Sequence, residues 1–339
     1  MGLAAFVVFT VASLCEIAGQ EFEVGIIDFY GLNRISESHA REALTFTEGS
    51  TLVRSDRRPA ALVESEARLA TLPGVTRARI NVVCCEQSRV IVYVGLEQRG
   101  SSAMSFRATP AGPARLEADI VRSGDEFLVA SMRAIERGDA AEDHAQGHAL
   151  MHDPSARAIQ ERFVLYAKRD LDQLRLVLRS SGDAAHRALA ALVLGYAPDK
   201  QAVVEDLVHA IGDPDGEVRN NAMRALLVFA DMDPGVSRAV PRIPSEPFIA
   251  LLNSPVWSDR NKASGALMIL TARRDAAILA RVREGSLAAL VEMARWKSAH
   301  AFAAFTILGR ISGYSDGAAQ ALWDAGDREI VIEAASRQQ

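Results

Sequence analysis

The sequence predicts an α+β domain at the N-terminal end, followed by an all-α superhelix of stacked helical hairpins. Three observations predict it. Residues 22–98 alternate strand-like and helix-like patterns in the order β-α-α-β-β. Residues 154–335 carry helix-length apolar stripes, and one small-residue motif recurs there at intervals of 32, 41 and 41 residues. Between them, residues 99–153 form a connector that begins rich in Gly, Ser and Pro.

A chain of 339 residues is long enough for two or more domains. Its apolar fraction of 49% and charged fraction of 24% are those of an ordinary globular chain. The net charge of -5 argues against non-specific affinity for nucleic acid, which needs a basic face. Only Lys168, Lys200, Lys262 and Lys297 are lysines, so basic charge is almost all arginine. Beside so much alanine this reflects composition bias, and arginine number carries no functional weight. The three cysteines, Cys15, Cys84 and Cys85, make no disulfide framework and no CxxC metal motif.

Residues 2–15, "GLAAFVVFTVASLC", are uncharged and apolar but too short to cross a bilayer, which needs roughly 20 residues. They fit the apolar core of a secretory signal over residues 1–20, with small residues for cleavage near Ala18 to Gln20. No Lys or Arg precedes Arg34, so the basic start of such a signal is missing. Leu14 before Cys15 is wrong for lipid attachment. The expected location is periplasmic or otherwise secreted, with no transmembrane span in the mature chain. A misread signal would leave the protein cytoplasmic.

"EFEVGIIDFYG" reads as a strand closed by Gly31. Ser36 is an N-cap for a helix with Ala40, Ala43 and Leu44 on one face. Pro59 opens a second helix with Ala61, Leu62, Leu69 and Leu72 as its apolar stripe, and Pro73-Gly74 stops it. Two alternating runs follow. Ala78, Ile80, Val82 and Cys84 share one face; Val90, Val92, Val94 and Leu96 share another. Cys84 is expected as a small core residue and Cys85 on the open side; a bond between these neighbours would be strained, so Cys85 is either a redox or intermolecular thiol or, the simpler reading, both cysteines are inert. The features "I..F.GL.RIS", the "EGS" between helices, the "LATLPGV..ARI" junction and the closing strand resemble the polypeptide-transport-associated (POTRA) domain. The resemblance covers about 75 residues. It implies a location outside the cytoplasm and binding of other polypeptides, often by strand addition to an open sheet edge. No β-barrel sequence follows it.

In the connector, His144, His148 and His152 recur at four-residue spacing, flanked by Glu142, Asp143 and Asp153. On a helix such histidines share a face and can share a metal. Gly147 interrupts the helix, Pro154 ends it, and no HExxH is formed. A solvated loop is the simpler reading. The cluster is the candidate for a metal-binding protein or metal-dependent enzyme.

The repeat places Arg187, Ala190 and Leu194 in one helix, then Arg219, Ala222 and Leu226, then Arg260, Ala263 and Leu267, and finally Ala301, Ala304 and Leu308. A second amphipathic segment precedes each, so the unit is a helical hairpin. The pattern resembles HEAT repeats, most closely at residues 212–226 with the Asp-Pro turn and Val-Arg start. Asp183 and Asp215 are expected helix caps. Arg187, Arg219 and Arg260 are expected to pair with aspartates in neighbouring turns, such as Asp215 or Asp259. Trp257 and Trp296 are core anchors, or interface residues if exposed. The Pro-rich insertion over residues 231–247 lengthens one connection.

These readings converge on a non-enzymatic interaction scaffold or adaptor in the bacterial cell envelope. Its partners are other polypeptides, envelope proteins first, and it takes no cofactor. The rivals are the histidine metal site and a cofactor-attachment lyase or chaperone. No GxSxG, P-loop or GxGxxG supports an enzyme.

Overall fold

A computed structural model describes residues 21–53, 58–101, 104–232 and 241–337. The expected signal over residues 1–20 and much of the Pro-rich insertion, including Pro234, lie outside the described residues.

The β-branched run of the first strand forms β1 (Glu21–Tyr30). Ser36 caps α1 (Glu37–Glu42), its hydroxyl accepting from the His39 N–H at 3.3 Å. A short strand, β2 (Thr51–Val53), follows before α2 (Ala60–Ala70), β3 (Val75–Glu86) and β4 (Arg89–Gln98). The expected β-α-α-β-β order therefore gains one strand between the helices. The sheet runs β2-β1-β4-β3, with β1 parallel to β4 and its other pairs antiparallel. The alternating set Ile80, Val90, Val92, Val94 and Leu96 buries against Ala40, Leu44, Leu62 and Leu69, as the period of two requires.

Cys84 departs from that alternation. The ladder between β3 and β4 shifts register between Val83 and Glu86, and such a bulge resets which face each side chain takes. Both cysteines are exposed, and they are joined to each other by a disulfide. The expectation of a buried Cys84 beside an independent thiol at Cys85 is corrected.

The rest is helical. The order is α3 (Ala118–Glu136), a hairpin of β5 (Glu142–Asp143) and β6 (Leu150–Met151), then α4 (Pro154–Arg169), α5 (Leu171–Ser180), α6 (Ala184–Leu194), α7 (Gln201–Ile211) and α8 (Gly216–Ala230). After these come α9 (Glu246–Leu251), α10 (Trp257–Leu270), α11 (Ala276–Ala294), α12 (Phe302–Ile311), α13 (Asp316–Asp324) and α14 (Arg328–Arg337). A 3₁₀ turn over Ala299–Ala301 precedes α12. The recurrent small residues Ala190, Ala222, Ala263 and Ala304 are all fully buried, as are Leu194, Leu226, Leu267 and Leu308. Small side chains there let neighbouring helices approach: a Cβ on Gly195 would stand 2.9 Å from the Ala225 Cβ. Among the described residues no helix is long and apolar enough to cross a membrane.

The contacts divide the chain into two compact units. The first comprises the described residues of Met1–Met104 with Ala250–Asn261 and Arg274–Gln339. The second comprises those of Ser105–Ile249 with Lys262–Arg273. In the first, the sheet is covered on both sides. One face carries α1 and α2. The opposite face presents Tyr30, Ile91 and Tyr93, all buried, to Trp257 and Trp296. In the second unit, α6 packs on α5 and α8, and α7 on α8. The connector before α3 is laced over the inter-helix turns. Arg107 N–H donates to Gly212 O at 2.9 Å, Gly112 N–H to Ser180 O at 2.8 Å, and Gly182 N–H returns to Gly112 O at 2.8 Å.

Candidate binding cleft

The first unit holds a cleft of about 670 Å³ at the carboxyl ends of the parallel strands β1 and β4. Ligand sites in open α/β sheets favour that position, because chain ends and loops converge there. β1 closes on Gly31, whose φ of +78° suits glycine alone. A Cβ there would sit 1.9 Å from the Leu96 carbonyl oxygen. The sharp turn carries Leu32 to Arg34 across the end of β4. Gln98 fixes it: its Nε2 donates to Gly31 O at 2.6 Å and its Oε1 accepts from Arg34 N–H at 3.1 Å. From α11, Glu292 accepts from Leu32 N–H at 3.1 Å through one oxygen and from Arg260 Nη1 at 3.1 Å through the other. Arg260 Nε donates to Ser254 O at 2.6 Å, and its guanidinium lies 4.6 Å from the Tyr30 ring.

The walls are strongly charged. Arg34, Arg99, Arg260, Arg295 and Lys297 line the cleft. Of its carboxylates, Glu37 holds Arg41 at 2.8 Å and Glu292 holds Arg260. Asp28, 5% exposed, accepts from the Lys297 N–H at 3.0 and 3.1 Å. Burial raises its carboxyl to about 6 against the lowering effect of those N–H bonds. Glu97 completes the acidic set. Arg295 and Lys297 make exposed ion pairs with Glu329 at 2.9 Å and Glu48 at 3.5 Å, a kind worth little in water. The Arg34 and Arg99 guanidiniums, both exposed, have no carboxylate partner among the described residues.

Behind the cleft lies a buried polar set. Tyr93 OH is 2.5 Å from Ser298 Oγ and 2.7 Å from His300 Nδ1. Tyr93 stacks on Trp257 at 4.9 Å, and Trp296 Nε1 donates to Phe29 O at 3.2 Å. Tyr30 OH donates to Pro255 O at 2.9 Å. Burial pushes the Tyr30 and Tyr93 hydroxyls up and lowers His300 to about 4. These groups are engaged with one another and bind the sheet to the helices. Trp257 and Trp296, 1% and 2% exposed, are therefore core anchors.

The repeat arginines are buried structural residues with a shared geometry. Each reaches back to the carbonyl six residues earlier: Arg187 to Ser181 O, Arg219 to Asp213 O and Arg260 to Ser254 O. Arg187 also takes Asp213 of the next turn at 2.9 Å through both Nε and Nη2, whereas Arg260 takes Glu292 of α11 through Nη1 alone at 3.1 Å. Arg219 lies 3.9 Å from the Phe106 ring. The expected acids, Asp215 and Asp259, serve elsewhere. Asp215 caps α8, accepting from Glu217 and Val218 N–H at 2.9 and 3.1 Å. Asp259 accepts from Ser254 Oγ at 2.7 Å.

The three histidines do not converge. Residues 141–152 form a hairpin instead of a helix, so the four-residue spacing no longer defines one face. Gly147, at φ +70°, makes its turn. His144 lies 3.5 Å from Glu142, which pairs with Arg224. His148 is buried, 2.7 Å from Lys200 Nζ, and burial lowers it to about 4. His152 is exposed. Among the described residues no group of three His, Cys, Asp or Glu side chains is arranged to hold a metal.

Sequence reasoning reached Arg260 and Trp296 in this unit but missed Arg34, Arg99, Asp28, Glu292 and Tyr93. The unbroken apolar run "VIVYV" in β4 was the available signal, since a strand buried on both faces loses its alternation.

Residues 171–242 match the family model for HEAT repeats. Over that span the chain is a helical repeat. Among solved structures, a designed armadillo repeat protein in complex with the peptide (KR)4 is similar at 14% identity and a TM-score of 0.34, over 57% of this chain and 96% of that one. Comparison with curated proteins gives no match.

Proposed function

We propose that the protein is a non-enzymatic scaffold that binds other polypeptides. The observation carrying this reading is the array of helical hairpins, with the HEAT match over residues 171–242. Stacked hairpins create an extended, ordered surface, and such surfaces recognise polypeptides. Arg187, which bridges the turn at Ser181 to the next at Asp213, serves that rigidity.

The N-terminal sheet supports a POTRA-like reading. Two helices cover one face, and β4 lies between a parallel β1 and an antiparallel β3. Strand addition along β3 meets an obstacle. Ile80 N–H donates to Glu66 Oε1 at 2.6 Å, and Arg58 donates to Ile80 O. Side chains thus occupy the backbone groups that a partner strand would use. We assign the protein to the cell envelope on the POTRA resemblance and the apolar stretch at residues 2–15, with envelope proteins as partners.

The test is cross-linked affinity capture of the full chain from its own cells, together with mass determination of the mature N-terminus. Reproducible polypeptide partners and an N-terminus near Gln20 support both parts. Absence of any reproducible partner sinks the scaffold. An intact Met1 in the cytosol sinks the envelope assignment.

A further inference from the structure

We infer that the cleft at the ends of β1 and β4 is a docking site for an acidic segment of a partner polypeptide, held by Arg34 and Arg99. This rests on the scaffold reading and names the chemistry of the partner.

The argument starts from charge. Five cations and four carboxylates line the cleft, but the two signs are not equally available. Glu292 is held by Arg260 and by the Leu32 N–H, Glu37 by Arg41, and Asp28 by backbone N–H groups, which leaves Glu97 as the single lining carboxylate without a side-chain partner among the described residues, against two arginines. Among the described residues Arg34 and Arg99 have no carboxylate partner, and each guanidinium carries five donors. A guanidinium fork takes a carboxylate in bidentate fashion. The two arginines follow the carboxyl ends of two parallel strands, Arg34 four residues after Tyr30 and Arg99 directly after Gln98. The hydrogen bond from Arg34 N–H to the Gln98 side chain fixes one loop against the other. The backbones that carry the two side chains are thus fixed relative to each other, which reduces part of the ordering cost of binding.

Size and depth agree. A cleft of about 670 Å³ lies within the range that holds a ligand of several residues' side chains. Phe29, Leu96 and Trp296 supply apolar floor beneath the charges. Arg295 and Lys297, in weak exposed pairs, can exchange those partners for a second carboxylate. An acidic segment with an interleaved apolar residue fits this lining. A basic segment would face the two unpaired arginines.

The test is fluorescence anisotropy with full-length protein and fluorescein-labelled eight-residue peptides rich in Glu, in Gln or in Lys. The Glu peptide is expected to bind, with affinity falling as salt rises, and the Gln and Lys peptides are not. Arg34→Glu/Arg99→Glu is expected to weaken Glu-peptide binding at least tenfold. The control Arg122→Glu/Arg133→Glu, on exposed positions of α3, makes the same charge change and is expected to leave binding within twofold. Circular dichroism melts confirm that each variant folds, and single Arg34→Ala or Arg99→Ala variants replace a double variant that does not. Equal loss in both double variants overturns the site. So does displacement of the peptide by millimolar inorganic phosphate, which would make the ligand a small anion. If no peptide binds while affinity capture still recovers polypeptide partners, the cleft assignment fails and the scaffold stands. If capture recovers none, the scaffold itself fails.

Discussion

Arg187 and Asp213 form a two-bond pair, 2.9 Å at each contact, with both side chains 1% exposed. Asp213 also accepts from Asp215 N–H at 2.9 Å, so one carboxylate joins a helix of one hairpin to the turn of the next. Removing one member of a buried pair leaves an uncompensated charge, at a cost of about 3–5 kcal/mol. Arg187→Ala is expected to lower the urea midpoint accordingly. The double variant Arg187→Met/Asp213→Leu is expected to lose less than Arg187→Ala alone. Equal losses in the two would show that the pair is not the source of the effect.

The buried set behind the cleft predicts a pH signature. Asp28 is raised to about 6 in the folded chain, so its protonated form is favoured there. Its contribution is fully present below its unfolded value and is lost as pH rises through about 6. His300 is lowered to about 4, so its contribution is present above its unfolded value and is lost as pH falls toward 4. The two oppose each other across the same window. Each group's altered proton affinity corresponds to on the order of 3 kcal/mol. Thermal melts from pH 4 to 7 should therefore tilt in opposite directions. Relative to the unaltered chain, Asp28→Asn gains stability as pH rises, and His300→Gln loses it. Parallel curves would refute the assignment.

Gly31 predicts a local failure. A Cβ at 1.9 Å from a backbone oxygen cannot be accommodated by a side-chain shift, and φ is +78°. Gly31→Ala should destabilise by about 1–3 kcal/mol and distort the Arg34 loop. Hydrogen exchange should show lost protection at the Arg34 amide, which donates to Gln98, while α6 to α8 stay protected.

The guard on β3 predicts self-association when removed. Glu66→Ala frees the Ile80 N–H at a sheet edge, and unpaired edges template pairing. Sedimentation velocity should show concentration-dependent dimers or larger species absent from the unaltered chain. A monomer at all concentrations would mean that the edge is protected by other means.

The repeat was legible because its signal is redundant. Arg187, Arg219 and Arg260 each stand three and seven residues before a buried Ala and a buried Leu, so one misread helix could not hide the period. The N-terminal helices were legible from Ser36 and Pro73-Gly74, whose backbone preferences are local. The histidine hairpin was not. Its fold is set by distant groups, with Gln160 Oε1 accepting from Met151 N–H at 2.7 Å and Gln160 Nε2 donating to Ala149 O at 2.7 Å. Spacing within residues 144–152 carries no trace of them. The cleft was hidden for the same reason: Arg34 and Arg99 meet Glu292 and Trp296 only through the tertiary fold, and nothing local marks either arginine.

Tyr93 and Ser298 touch across 205 residues of chain. A ribosome adds roughly 5–20 residues per second, so the aromatic face of the sheet waits on the order of 10–40 s for its cover to be made. All of Ser105–Ile249 is translated in that interval. In whichever compartment the chain folds, Tyr30, Ile91 and Tyr93 stay open to other chains until Trp257, Trp296 and Ser298 close over them.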